Sequence, residues 1–565
     1  MSDNLDALHH QAIALHQAGR RVDAAHLYLS ILRRRPDHSD ARHNLGLVAV
    51  EGGDLASGLT AIRAAVATDP SYGRYWLSYV QALTDDGRLD EARRALPRVL
   101  RLGGERGWSG ALAARLFDPR QLLAEAEARR RASRQADAQE LARRVLALLP
   151  RSAAALGLLG GLAVETGRPE AAGALLARGL LLDQRQPGLY AEFGRLLDSQ
   201  GRPAEAEAAC RRALVLDPGD GEALALLGRG RWSRGQHSAI GLFRRAVTVN
   251  PADHQSHRCL AVYLMMHGRL AEAWEHYEWR WQSPDFSGPP RHFRQPRWTG
   301  EALDGRVLLV HGEQGLGDVL QYSRFAVEAA RHGRVILEVW PPLLRLLSGL
   351  PGVERVVAAG DPLPDFHLHC PLLSLPRVFG TDLDTLPPPV AVPVDRTLAA
   401  RWRKRLGKAA GRKIGLVWAG GPTAAGRSMA FERLVPLLSL GGLSWFSLQL
   451  GDAGAEMAGC RQVADLSPEL GDFADTAAAL ICLDLVITVD TAMAHLAGLL
   501  GRPCWVLLPH GNDCRWLINR ADSPWYPSLR LFRQSEEGDW PGVIERLAAA
   551  LGETFGAPVN APVND

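Results

Sequence analysis

The densest chemistry in this chain lies between Leu485 and Pro509, LVITVDTAMAHLAGLLGRPCWVLLP. Two apolar, β-branched runs, 485–489 and 504–508, predict buried parallel strands around a helical stretch closed by Gly501 and Pro503. Asp490 and Thr491 fall where the first strand gives way to the helix. Free backbone N–H groups and the helix dipole favour a phosphate there, and open α/β sheets bind ligands beyond the carboxyl ends of their strands. The expectation is a nucleotide-type site. A carboxylate beside a phosphate repels it, so Asp490 is expected to bond a ribose or to cap the helix. His495, four residues after Thr491, shares its helical face and either orients a phosphate or is a satisfied core histidine. Gln449, at the end of another predicted strand, is a candidate for reaching base or sugar. His510, Asn512 and Asp513 form a polar loop after the last of these strands. Asp382 and Asp384 have Asp-x-Asp spacing, but they stand in a turn before a proline-rich connector with no nucleotide motif nearby, so no metal is expected.

These groups need a scaffold, and 565 residues suffice for several domains. With 65 basic and 62 acidic residues, the formal charge of +3 gives no electrostatic case for nucleic acid. Seven scattered cysteines without a CxxC pair indicate neither a disulfide framework nor a zinc site. The N-terminus lacks the basic and apolar regions of a signal peptide, and no apolar run is long enough to span a membrane, so a cytoplasmic location is expected.

The first half repeats itself. Glycines at 19, 53 and 87, and again at 167, 201 and 235, are spaced by 34 residues, and Gly268 follows 33 later. Five residues after each comes a small residue in most units (Ala24, Gly58, Ala92, Ala172, Ala206 and Ala273). Gly160, Gly194 and Gly228 form a second register of the same period. This is the signature of tetratricopeptide repeats: glycine turns the chain between two helices and the small residue lets them pack closely. The expected all-α superhelix covers 1–282, with a lapse of register around 103–131. Its concave face is expected to dock a polypeptide, a scaffold or oligomerisation role being the alternative.

After an ordered linker at 283–305, strands alternate with helices. Strands are predicted at 306–310, 334–339, 355–357, 366–369, 413–418 and 443–450, besides the two above. Alternation implies parallel sheets. Two such units, 306–395 and 396–551, joined by Pro387–Pro393, suggest two Rossmann-like lobes facing one cleft. Residues 552–565 are expected to be a disordered tail.

Three segments carry a family resemblance: GEQGLGDVLQ at 312–321, GLVWAGGP at 415–422 with Arg427 and Ser428, and DTAMAHLAGLLGRP at 490–503. Together they resemble the heptosyltransferase-type glycosyltransferases, whose GT-B fold has two Rossmann-like lobes. Repeats ahead of such a module also resemble protein O-GlcNAc transferases and bacterial repeat-containing glycosyltransferases, some of which modify flagellin. The resemblance implies sugar transfer from a nucleotide-sugar without a metal or other cofactor, the first lobe on the acceptor side and the second on the nucleotide-sugar side.

By the same resemblance Asp318 is the general base that takes the proton of the acceptor hydroxyl. A carboxylate in the first turn stabilises a helix by itself, which is the other account of it. Arg427 is placed to neutralise the leaving diphosphate, or is a surface arginine of a flexible loop. Gly317, Arg427, Ser428, Gln449, Asp490, Thr491, Ala492 and His495 are the expected donor contacts. His311, Glu313, Gln314, His510, Asn512 and Asp513 are the candidates for touching sugar or acceptor. Ala492 stands where heptosyltransferases carry glycine, which argues against assuming heptose. The expected function is O-glycosylation of Ser/Thr on a protein, flagellin-like by resemblance, captured by the repeats. The alternatives are transfer to a glycan or lipopolysaccharide core, and a non-catalytic scaffold with a degenerate transferase domain.

Overall fold

The computed structural model describes residues 2–102, 112, 116, 118–236, 238–283, 286, 288, 291–421, 426–511 and 514–556. The chain divides into two compact units, Met1–Leu227 and Gly228–Asp565.

The first unit is an all-helical tetratricopeptide array. Its helices pair as Ser2–Gln17 with Arg21–Arg34, Ser39–Glu51 with Leu55–Thr68, and Gly73–Asp85 with Leu89–Arg101. Pro119–Arg131 pairs with Gln135–Leu148, Ala153–Glu165 with Pro169–Leu182, and Pro187–Ser199 with Pro203–Leu216. The turn glycines adopt positive φ, from 66° at Gly167 to 89° at Gly53, as a tight link between antiparallel helices requires. Ser133 takes the same conformation, φ 58°, at the place the 34-residue period reserves for glycine. The repeat therefore resumes at Pro119–Arg131 under a different turn residue. Within the irregular stretch, residues 103–111, 113–115 and 117 lie outside the described residues. The second glycine register marks helix crossings: a Cβ on Gly160 would fall 2.6 Å from Leu176 and one on Gly194 2.8 Å from Cys210.

The second unit begins with the last helices of the array, Ala239–Val249, His254–Met266 and Leu270–Tyr277, followed by a short 3-10 turn, Glu278–Gln282. Among the described residues, two sheets follow whose strands pair with one another in parallel. One has the order β3-β2-β1-β4, from β1 (Val307–His311), β2 (Arg334–Val339), β3 (Arg355–Ala358) and β4 (Leu368–Pro371). The other has the order β10-β9-β8-β5-β6-β7. Its strands are β5 (Arg412–Val417), β6 (Leu443–Ser447), β7 (Val463–Asp465), β8 (Leu485–Val489), β9 (Cys504–Leu508) and β10 (Leu529–Arg533). Strand order reverses beside β1 in the first sheet and between β5 and β8 in the second, the places where α/β sheets bind ligands.

The last repeat belongs to this unit because its core does. Trp274 is buried and its indole N–H donates to the Thr381 carbonyl at 2.8 Å; Ile518 N–H donates to Met266 O at 3.0 Å. Trp274 and Leu270 share one hydrophobic cluster with Val310, Phe325, Val486 and Tyr526, which unites both sheets with the helices before them. The segment 283–305 is likewise tied in, through buried Trp298, whose backbone N–H donates to His369 O. Among the described residues, no helix is long and apolar enough to cross a membrane.

Candidate functional site

Two helix beginnings meet in the second unit. After β1 the chain passes through Gly312 to Gly315, the N-terminal cap of the helix Leu316–Ala330. After β8, Thr491 caps the helix Ala492–Leu499, its Oγ1 accepting the Met493 N–H at 3.2 Å and lying 3.0 Å from Thr488 Oγ1. The cap is therefore Thr491, and Asp490 is left for another task. The first turns of the two helices touch: a Cβ on Gly317 would stand 3.0 Å from His495 Cδ2 and 3.4 Å from the Ala492 Cα. The two turns thus come close at Gly317, which its lack of a side chain permits.

Asp318 follows directly. It is 8% exposed; its Oδ2 accepts the Gly315 N–H at 3.0 Å and its Oδ1 accepts two N–H groups of Arg515, at 2.6 and 3.2 Å. The carboxylate therefore does close the first helical turn, and it also forms an ion pair with a residue from beyond β9. Half-buried Tyr277 and buried Tyr322 and Tyr526 lie within the electrostatic reach of the pair. Burial raises all three phenols above the usual tyrosine range, and the Asp318 charge pushes in the same direction.

Asp490 is 1% exposed and accepts Arg427 Nη1 at 2.8 Å. The guanidinium compensates the charge of the buried carboxylate, and it stays on the partly exposed side at 36% exposure. Ser428 Oγ accepts the Gly420 N–H at 3.1 Å, tying this loop to the end of β5. His495 is buried, with Nδ1 3.3 Å from Tyr526 Oη and its ring stacked on Trp516 at 5.2 Å between centroids.

Gln449 has its amide occupied by backbone. Its Oε1 accepts Trp418 and Ala419 N–H groups, and its Nε2 donates to the carbonyls of Ala419 and Leu450. It braces the ends of β5 and β6 rather than extending outward. His510 N–H donates to Gln534 Oε1 at 2.9 Å, while Asn512 and Asp513 lie outside the described residues. Asp382 Oδ1 accepts the Leu270 and Leu383 N–H groups, so Asp382 serves the seam with the last repeat.

The remaining candidates belong to the first sheet. Gln314 exchanges hydrogen bonds with Tyr277 Oη at 2.9 and 3.3 Å. Glu313 is 1% exposed, with Oε1 accepting Arg280 Nη2 at 3.0 Å and the Leu373 N–H at 3.2 Å. Its Oε2 has no hydrogen-bond partner among the described residues. Burial outweighs the pull of Arg280 and raises this carboxyl to about 7. His311 lies with Nε2 3.3 Å from His369 Nδ1; burial, with His369 and several arginines adding to it, lowers it to about 3, so the ring is neutral.

Sequence reasoning overlooked Arg280 and Arg515. Arg280 sits among aromatics in EWRW at the end of the repeats, and Arg515 follows the HGNDC loop. An arginine interleaved with tryptophans in a segment between two domains was the available signal.

Known proteins resemble parts of this chain. Tetratricopeptide-repeat profiles match residues 10–70, 44–105, 123–189 and 221–278, and a second such profile matches 187–220. Protein FlbA of Caulobacter vibrioides is 28% identical over 343 residues, which cover 52% of this chain and 54% of that protein. Among solved structures, the Cut9–Hcn1 hetero-tetramer of the APC/C is 17% identical with a TM-score of 0.24, covering 45% of this chain and 48% of its own. The chain thus spans about half the length of each of these two. MamA is 21% identical with a TM-score of 0.21, covering 27% of this chain and 91% of its own.

Proposed function

We propose that the second unit is a nucleotide-sugar-dependent glycosyltransferase of the GT-B kind and that the repeats present it with a polypeptide acceptor. The observation that carries this reading is the meeting of two helix N-termini, each following a strand beside a reversal of strand order, with Asp318 on one and the Asp490–Arg427 pair before the other. Two converging dipoles and a guanidinium suit a diphosphate. Asp490 and Thr491 supply oxygens for a ribose. Asp318, held by its ion pair with Arg515, takes the proton of a Ser/Thr hydroxyl as the hydroxyl oxygen attacks the anomeric carbon and the nucleoside diphosphate departs. The repeats, whose kind forms an extended concave docking face, support a polypeptide acceptor; a flagellin-like acceptor rests on the family resemblance alone.

A second reading has its own support. Both Asp318 oxygens already accept hydrogen bonds, as they would in a purely structural role, and the unit would then be a binding scaffold.

A thermal-shift panel of UDP-, ADP-, GDP- and CMP-sugars separates the two. At least one donor is expected to raise the melting temperature, and this response is expected to fall in an Arg427→Ala variant. A flat response to every donor overturns the transferase reading. Intact-mass analysis of surface proteins from cells with and without the chain then reports acceptor and sugar together.

A further inference from the structure

A cavity of about 320 Å³ opens where strand order reverses in the first sheet. His311 closes the end of β1, and His369 and Pro371 come from β4, with His311 in register with Pro371. Trp281, from the 3-10 turn that ends the repeats, and Phe286 form an aromatic wall with ring centroids 4.6 Å apart. Arg291 and Arg297 complete the lining, and no carboxylate is among the described residues that line it. Both arginines are paired with acids outside the lining: Glu338 accepts Arg291 Nη2 at 2.6 Å, and Glu278 pairs with Arg297.

The polar atoms around this space are left unfinished. Trp281 Nε1, Arg291 Nε and His311 Nδ1 are buried without a hydrogen-bond partner among the described residues. His311 itself is 1% exposed. A buried donor without a partner forfeits its hydrogen bond to water, and native proteins leave few of them. Two of the three atoms can only donate, and the third belongs to a neutral ring that donates in one tautomer. A wall rich in donors, cationic at two points and aromatic at two more, is complementary to an acceptor-rich ligand with an apolar face.

We infer that this cavity is a binding site for a small organic anion, its carboxylate or phosphate group received by Trp281 Nε1, Arg291 Nε and His311 Nδ1 and its body packed on Trp281 and Phe286. The volume falls at the lower end of that of small-molecule sites, which suits a ligand of about monosaccharide size. None of its lining residues belongs to the Asp318 or Asp490 clusters, although His311 stands among the candidates that the sequence offers for touching sugar or acceptor. Its wall includes a residue of the turn that ends the repeats, so an occupant would touch both the array's last turn and the sheet.

The test is calorimetric titration of the full chain with sodium glucuronate, inorganic phosphate and, as an uncharged control of similar size, glucose. Glucuronate or phosphate is expected to bind and glucose to give no heat; the stronger of the two anions tells whether the natural ligand carries a carboxylate or a phosphate. Trp281→Phe keeps the ring and removes one donor. Arg291→Lys keeps a cation for Glu338 and removes the Nε donor. Each is expected to weaken the anion by about tenfold or more, the usual effect of losing one charge-assisted hydrogen bond. No heat with either anion, equal binding of glucose, or unchanged affinity in both variants overturns the site. Because the readout is binding, a chain that transfers no sugar would still satisfy it.

Discussion

Gly317 and His495 stand so close that a single added carbon at 317 would come within 3.0 Å of the histidine ring. The ring has little room to yield, stacked on Trp516 and within hydrogen-bonding distance of Tyr526. Gly317→Ala is therefore expected to destabilise the second unit by about 1–3 kcal/mol, the usual range for overpacking a filled core. Thermal denaturation measures it, and a variant as stable as the parent would show that the two helices separate freely.

Arg515 and Asp318 form the other close pair at this junction. Asp318→Asn keeps the shape and an acceptor for Gly315 N–H but removes the charge. On the proposed mechanism transfer falls by about 10²–10⁴, the range for losing a general base, with nucleotide binding retained. Transfer and donor-induced thermal shift, measured on one preparation, decide this; undiminished transfer would end the catalytic role.

Glu313 and His311 give pH dependences of opposite sign. Glu313 holds its proton to about pH 7 when folded, against an ordinary value of 4.5. The folded state binds more protons than the unfolded one between those values, so this group's contribution to stability falls as pH rises through that window. Glu313→Gln removes the effect, and its melting temperature is expected to gain on the parent's between pH 5 and pH 8.5. His311 is neutral down to about pH 3 when folded, against an ordinary 6.5, so its contribution is lost as pH falls below 6.5. His311→Gln should gain on the parent between pH 7 and pH 4. Parallel shifts in the two variants would contradict both assignments.

Ser133 holds a backbone conformation that favours glycine. Ser133→Gly is expected to raise the stability of the first unit by about 0.5–1 kcal/mol, the relief of left-handed strain less the entropy that glycine adds to the unfolded chain. Chemical denaturation of the parent and the variant measures the difference.

Truncation tests where the units divide. A chain starting at Asp220 retains the last repeat and is expected to stay folded. One starting at Ser283 loses Trp274 and Arg280, leaving Glu313 buried without its cation. It is expected to aggregate or to melt well below the longer form, as removal of one partner of a buried ion pair costs about 3–5 kcal/mol. Circular dichroism of both pieces tells them apart.

Much of this was legible locally. The 34-residue period declares the repeats because each turn needs a positive φ and each crossing needs a small residue, and both are properties of single positions. The strand–helix junction at Asp490 and Thr491 could be read because apolar runs, caps and breakers lie next to each other in the chain. β7 and β10 escaped notice: β7 is three residues long and β10 alternates with charge, so neither stands out as an apolar run. The repeat at Pro119–Arg131 was obscured because serine stands in for glycine at 133.

What the chain could not announce is which distant residues meet. Arg515 lies 197 positions from Asp318 and Arg280 lies 33 from Glu313, and no periodicity links either pair. Gln449 could reach outward or brace its own sheet, and only the surrounding backbone carbonyls and amides decided for bracing. The sequence determined the elements and the kinds of chemistry available to them, since these depend on local pattern and side-chain type. Tertiary structure alone decided the pairings, because burial, charge compensation and the fit of Gly317 against His495 arise only when separate segments fold against one another.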